Sequence, residues 1–151
     1  MRLNTSSAIV TFAKELEKNS ADYYEGLAKM DMPDGDFFLS LAKENLKNIK
    51  QIERAYYGVI TDAIEGCFAF DLSKEDYTFN VTLKENPAYC DALQKAIEME
   101  EKISNFYLAA AEQSKSLLAD IPQVFFLIAR KRNNRKLKLM SLYEGSCLES
   151  K

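Results

Sequence analysis

The sequence predicts an all-α fold, a bundle of four helices in which one long connection joins the second helix to the third. Three observations predict it. Apolar residues recur at alternating steps of three and four through four long stretches. The chain also repeats itself at about half its length, and the breaks between stretches run short, long, short. Short connections force antiparallel neighbours, whereas a long one can cross the bundle.

The repeat emerges when the chain is slid against itself. An offset of 83 lays Ala13, Glu17, Tyr23, Tyr24 and Ala28 on Ala96, Glu100, Phe106, Tyr107 and Ala111. An offset of 87 lays Phe38, Leu41, Ala42, Asn45 and Asn48 on Phe125, Ile128, Ala129, Arg132 and Arg135. Because the offsets differ by only four residues, the repeated unit is a helical hairpin.

The first helix spans roughly Thr5 to Met30, with Val10, Ala13, Glu17, Ser20, Tyr24 and Leu27 on its seam. Met32-Pro33-Asp34-Gly35 breaks it, and Asp34 is the expected N-cap of the next helix. That second helix runs from about Gly35 to Glu65 and carries Phe38, Leu41, Asn45, Asn48, Ile52, Ala55 and Val59 inward, with Gly66 as its stop. Residues 67–86 lose the helical period. Tyr77, Phe79, Val81 and Leu83 alternate instead, as suits an extended crossover laid over apolar surface. Asn86-Pro87 supplies a cap and a first residue for the third helix, which runs to about Ser114 on a seam of Leu93, Ala96, Glu100, Ile103, Tyr107 and Ala110. A capping-box variant, Asp120-Ile121-Pro122-Gln123, opens the fourth, with Phe125, Ile128, Arg132, Arg135, Leu139 and Leu142 facing in.

At 151 residues and 47% hydrophobic, residues 1–151 make one domain with a substantial core. A net charge of −3 gives no general pull toward nucleic acid or anionic membrane. The longest apolar run, Val124 to Ala129, is too short to span a bilayer, and the polar start lacks a secretory core, so a cytoplasmic protein is expected. Cys67, Cys90 and Cys147, odd in number and widely spaced, read as separate reduced thiols. The chain has no histidine, which excludes imidazole-ligated haem, Ser-His and Cys-His nucleophile pairs, and the usual zinc and diiron sites.

Six seam positions at mid-height carry the chemistry: Glu17, Asn45, Asn48, Glu100, Arg132 and Arg135. Glu17-Lys-Asn-Ser20-Ala-Asp-Tyr23-Tyr24 resembles the first helix of rubrerythrins, members of the ferritin-like superfamily, and Glu100-Glu-Lys-Ile-Ser-Asn-Phe106-Tyr107 resembles the third. Leu41-Ala42-Lys-Glu-Asn45-Leu-Lys-Asn48 and Ile128-Ala129-Arg-Lys-Arg132-Asn-Asn-Arg135 resemble the second and fourth, with asparagine and arginine where that family places Glu and His ligands. The resemblance covers residues 8–144 and implies a ferritin-like bundle, in which one Glu from each of two helices and a Glu-x-x-His pair from each of the others hold two irons. It also implies a vestigial site. Four of six ligands are replaced, Ile103 stands where a further carboxylate is common, and no rubredoxin-like Cys-x-x-Cys tail is present.

Charge arithmetic supplies an account independent of the resemblance. Two carboxylates facing one another in a bundle need cations, and Arg132 and Arg135 provide them with planar forks suited to carboxylates. The expectation is therefore a self-neutralised centre with no metal or other cofactor, supported by Tyr24 and Tyr107 as core aromatics that bond the carboxylates rather than as redox groups. If the seam is shifted by one, Glu15, Glu98 and Glu101 turn inward instead.

The leading expectation is a structural or binding protein, cytoplasmic and homodimeric, without catalytic residues and without nucleic-acid or membrane partners. An alternative is an iron- or manganese-binding oxidoreductase or peroxidase using Glu17, Glu100 and a shifted carboxylate such as Glu44. A second alternative is small-anion binding at Arg132 and Arg135. Arg130 to Lys138, with six basic residues in nine, resembles a nucleic-acid stripe in composition, but no aromatic interleaves it. Tyr56-Tyr57 with Cys67-Phe68-Ala69-Phe70 forms either a dimer patch or core beneath the crossover.

Overall fold

The computed structural model describes residues 2–30, 32–57, 70–80, 87–115 and 120–148. Four helices account for most of them: α1 (Ser6–Ala28), α2 (Gly35–Tyr57), α3 (Tyr89–Gln113) and α4 (Asp120–Tyr143). At about 1.5 Å per residue each is roughly 35 Å long. Val59, Gly66, Cys67, Phe68, Ala69, Val81, Leu83 and Asn86, which the sequence reading used, lie outside the described residues.

The helices pack as a four-helix all-α bundle in which α1 lies against α2 and α3, and α4 lies against α3 and α2. Side-chain contacts give the directions. Glu17 meets Asn48, and Lys14 meets Glu53, so α1 and α2 are antiparallel. Tyr24 reaches Glu100 while Glu17 is reached by Tyr107, so α1 and α3 are antiparallel as well. Ser104 with Ala129 and Gln94 with Tyr143 set α3 against α4, and Asn45 with Arg135 and Gln51 with Lys131 set α2 against α4, each in the same sense.

The periodic seams become the core. Val10, Ala13, Leu27, Phe38, Leu41, Ile52, Leu93, Ala96, Ile103, Ala110, Phe125, Ile128 and Leu139 are all buried in one cluster, each large aliphatic or aromatic contributing about 1.5–3 kcal/mol of transfer free energy. Aromatic edges lock α1 to α3, with Phe12 and Phe106 at 5.1 Å and 80°.

Local chemistry sets the ends. Thr5 caps α1, its hydroxyl accepting from the Ala8 amide at 3.1 Å. Asp34 occupies the cap place before α2, since its carbonyl accepts from Phe38. Its carboxylate, however, accepts the Tyr89 hydroxyl rather than a helix amide, and its φ is 64°, a left-handed conformation that Asp tolerates better than most residues. The expected start of α3 is corrected. Pro87 stands two residues ahead of the helix, and Ala88, extended at ψ 140°, takes the cap position.

Residues 70–80 are not a continuous extended strand as the alternation implies. Leu72–Ser73 pairs antiparallel with Arg2–Leu3 in a two-residue ribbon that the sequence did not reveal. A 3₁₀ turn over Lys74–Asp76 follows, with the Thr78 hydroxyl donating to the Lys74 carbonyl. Tyr77, which closes that turn at ψ 1°, packs its ring against Phe106 at 5.5 Å, so the first residue of the alternating stretch lies over apolar surface.

The cysteine expectation is also corrected. Cys90 at the start of α3 and Cys147 in the π-helical turn Glu144–Leu148 form a disulfide. Their wide separation in sequence concealed this, because only antiparallel packing of α3 on α4 brings the two ends to a Cα distance of 5.9 Å. Since the bridge closes a 57-residue separation, Cys147→Ser is expected to lower stability by about 2–4 kcal/mol. Urea denaturation of the variant beside the oxidised parent measures that loss.

Candidate functional site

Mid-bundle, the seams of all four helices bring Glu17, Asn45, Asn48, Glu100, Arg132 and Arg135 together, each fully buried or nearly so. Glu15, Glu98 and Glu101 are exposed, which fixes the register. The helical spacing is responsible: residues at i, i+3 and i+7 share a face, so Glu17 and Tyr24 on α1 point the same way, as do Glu100 and Tyr107 on α3.

Arg132 sits between the carboxylates. Nη1 donates to both oxygens of Glu100 at 2.8 and 2.6 Å, and Nη2 donates to Glu17 Oε2 at 2.5 Å and to Ser20 Oγ at 3.2 Å. The tyrosines cross over: Tyr24 donates to Glu100 Oε2 and Tyr107 to Glu17 Oε2, both at 2.9 Å. This exchange is the internal repeat written in hydrogen bonds, since each hairpin supplies a carboxylate and a phenol to its counterpart. Asn48 Nδ2 adds a bond to Glu17 Oε1 at 2.7 Å.

Arg135 plays a different part from the one its charge suggested. Its Nη1 donates to Asn45 Oδ1 at 2.6 Å and stands 3.7 Å from Glu100 Oε1, while Nη2 reaches the Leu41 carbonyl at 3.3 Å and Glu44 Oε1 at 3.2 Å. Arg132 alone therefore bridges both buried carboxylates, and Arg135 turns toward α2. Satisfaction is also incomplete: Arg132 Nε, Arg135 Nε, Asn45 Nδ2 and Asn48 Oδ1 are buried without a hydrogen-bond partner. Each such group costs about 1–3 kcal/mol.

The electrostatics follow from burial and pairing. Burial alone would pull the Arg132 guanidinium down, but Glu100 and Glu17 beside it hold it well above its ordinary value, so it is a permanent cation. Burial pushes Tyr24 well up and the Glu100 charge adds to this; burial and Glu17 do the same for Tyr107. Both phenols are thereby kept as hydrogen-bond donors.

The resident group of the resembled family is a pair of irons, and the donor set does not fit it. The two carboxylates spend their inward lone pairs on Arg132 and the tyrosines, asparagine amides replace anionic and imidazole ligands, and a guanidinium occupies the space between the carboxylates. Glu44, the carboxylate considered as a substitute ligand, is 40% exposed and pairs with Arg135.

Sequence reasoning missed Ser20 as a partner of Arg132, although it was on the seam, and could not foresee the Leu41 carbonyl as an acceptor. It also missed Ser104, buried and donating to Ala129 at 3.2 Å. The basic run on α4 divides into separate roles: Arg132 and Arg135 inward, Lys136 paired with Glu101 at 3.3 Å, and Lys131 and Lys138 along an open groove beside α2. Tyr56 is buried and Tyr57 is 60% exposed, so that aromatic pair is split between core and surface. No helix among the described residues is long and apolar enough to cross a membrane.

Comparison with protein-family models, with curated proteins and with solved structures finds no match, so the relationships of this chain rest on its own residues and their geometry.

Proposed function

We propose that this protein is a ferritin-like, rubrerythrin-related bundle whose diiron centre has been replaced by an Arg/Glu/Asn network, and that it acts as a structural or binding protein rather than an oxidoreductase. The observation that carries this reading is Arg132, fully buried and hydrogen-bonded to Glu17 and Glu100 at once. A cation fixed there supplies the charge compensation that metal would give and opposes metal entry by repulsion.

The antiparallel pairing of neighbouring helices supports the topology. With α1 antiparallel to both α2 and α3, helices α2 and α3 run parallel, the relation expected of two helices joined by a long crossover of the ferritin-like kind. Homodimer formation belongs to the same reading. An exposed stripe of Leu39, Leu46 and Tyr57 along α2 supports it, because spacings of 7 and 11 residues stack these side chains on one face. A cytoplasmic location requires Cys90 and Cys147 to stand as a dithiol there, since that compartment keeps thiols reduced.

The test is metal content. Protein produced in medium supplemented with iron and manganese is expected to carry almost none by elemental mass spectrometry. A variant that rebuilds the ligands, Asn45→Glu/Asn48→His/Arg132→Glu/Arg135→His, is expected to carry one or two ions per chain. One or two ions on the natural chain would overturn the reading and favour the oxidoreductase alternative.

A further inference from the structure

Between α2 and α4 an open groove of about 500 Å³ is lined by Ser40, Glu44, Lys47, Lys131, Arg135 and Lys138, with Phe37 and Leu41 as apolar wall. The helical spacing builds it. Ser40, Glu44 and Lys47 recur at steps of four and three on α2, and Lys131, Arg135 and Lys138 do so on α4, so two polar edges face each other across the interface. Four cations meet one carboxylate.

Their partners are few. Among the described residues Lys47 and Lys138 make no ion pair or hydrogen bond, and Lys131 bonds only the neutral Gln51 at 3.3 Å. Arg135 is the built component. Its side chain is 4% exposed, held by Asn45 and the Leu41 carbonyl, and its Nε has no partner. Glu44, 40% exposed, reaches Arg135 at 3.2 Å. It is an anion of the chain's own already seated at the cationic edge, and exposed enough to swing away.

We infer that this groove binds a phosphate-bearing small molecule, with its phosphate between Lys47, Lys131, Lys138 and Arg135 in place of the Glu44 carboxylate, and its less polar part against Phe37 and Leu41. A net surplus of positive charge favours a multiply charged anion over a monocarboxylate, and lysines serve as point-charge partners for phosphate oxygens. The volume suits a small ligand, while a single ring in the lining, Phe37, falls short of the successive stacking platforms a nucleic-acid strand uses. Unlike the proposed loss of metal, this inference does not depend on how the bundle centre evolved.

The probe is inorganic pyrophosphate, titrated into the ¹⁵N-labelled protein at constant ionic strength, with chloride as the comparison salt and a twelve-residue single-stranded DNA as a second arm. Saturable shifts confined to residues about Lys47, Lys131 and Lys138 are expected. Lys131→Gln/Lys138→Gln should weaken binding at least tenfold, and Glu44→Gln should tighten it several-fold, whereas Glu53→Gln, a carboxylate on the other side of α2, should leave it unchanged. Unsaturable shifts spread over lysines of every helix would overturn the proposal. So would equal tightening by Glu44→Gln and Glu53→Gln, or a DNA strand that binds where pyrophosphate does not. Metal found in the natural chain alongside groove-specific pyrophosphate binding would overturn the reading of the bundle centre and leave this one standing.

Discussion

Arg132→Leu is expected to destabilise the fold by about 3–5 kcal/mol, the cost of stranding buried charge when one partner of a buried ion pair is removed. The geometry explains the size. Arg132 is 0% exposed and supplies three of the hydrogen bonds that Glu17 and Glu100 receive. Without it Glu17 retains only Tyr107 and Asn48, and Glu100 retains Tyr24 with Arg135 no nearer than 3.7 Å. Two like charges then share a dry interior, and neither phenols nor an amide can neutralise them. In a domain of this size the loss corresponds to a melting temperature lower by roughly 6–20 °C.

Second-site substitutions separate charge from packing. If stranded charge is the cause, Glu17→Gln/Glu100→Gln added to Arg132→Leu should recover more than half of the deficit, because neutral amides are far cheaper to bury. Arg135→Leu should cost less, about 1–3 kcal/mol, since its bonds go to an amide, a carbonyl and a partly exposed carboxylate. Chemical denaturation of the four proteins measures all of these. An Arg132→Leu variant within about 1 kcal/mol of the parent would show that Arg132 does not hold the two carboxylates in solution.

Much of the fold was legible because helical periodicity and an internal repeat are local signals. Glu17 and Glu100 could be placed opposite each other from the seam alone, and so could the tyrosines seven residues on. What stayed hidden depended on which long side chain reaches where. Arg132 and Arg135 are three residues apart on one face and look equivalent in sequence, yet Arg132 lies between the carboxylates while Arg135 sits nearer α2, where Asn45, the Leu41 carbonyl and Glu44 compete for it. The ribbon joining Arg2–Leu3 to Leu72–Ser73 is too short to leave a period. The Cys90–Cys147 bridge needed Cys147 to sit in the Glu144–Leu148 turn, beyond the last periodic residue of α4, where no seam position marks which way it faces. The Asp34 carboxylate was assigned to its own helix by a local rule, and a phenol brought from α3 takes it instead.

Alkaline unfolding should be steep, and it should report on the same centre. Burial raises Tyr23, Tyr24 and Tyr107 above the ordinary tyrosine value, and Glu100 and Glu17 raise the latter two further. In the unfolded chain each phenol loses its proton near pH 10. In the folded chain these three keep theirs, so above that pH the native state binds more protons than the unfolded one and stability falls as pH rises. The contribution is complete below pH 10 and decreases above it by about 1.4 kcal/mol per pH unit for each phenol, or roughly 4 kcal/mol per unit for the three. Tyrosinate absorbance should therefore show a late stage that coincides with loss of helical circular dichroism, when the buried phenols are released. Tyr24→Phe/Tyr107→Phe should make the late stage smaller and move unfolding to higher pH relative to the variant's own neutral stability, because two of the linked protons are gone. A single smooth titration of all eight tyrosines with the helices intact would mean that the phenols are not sealed against the carboxylates, and the self-neutralised centre would fall with them.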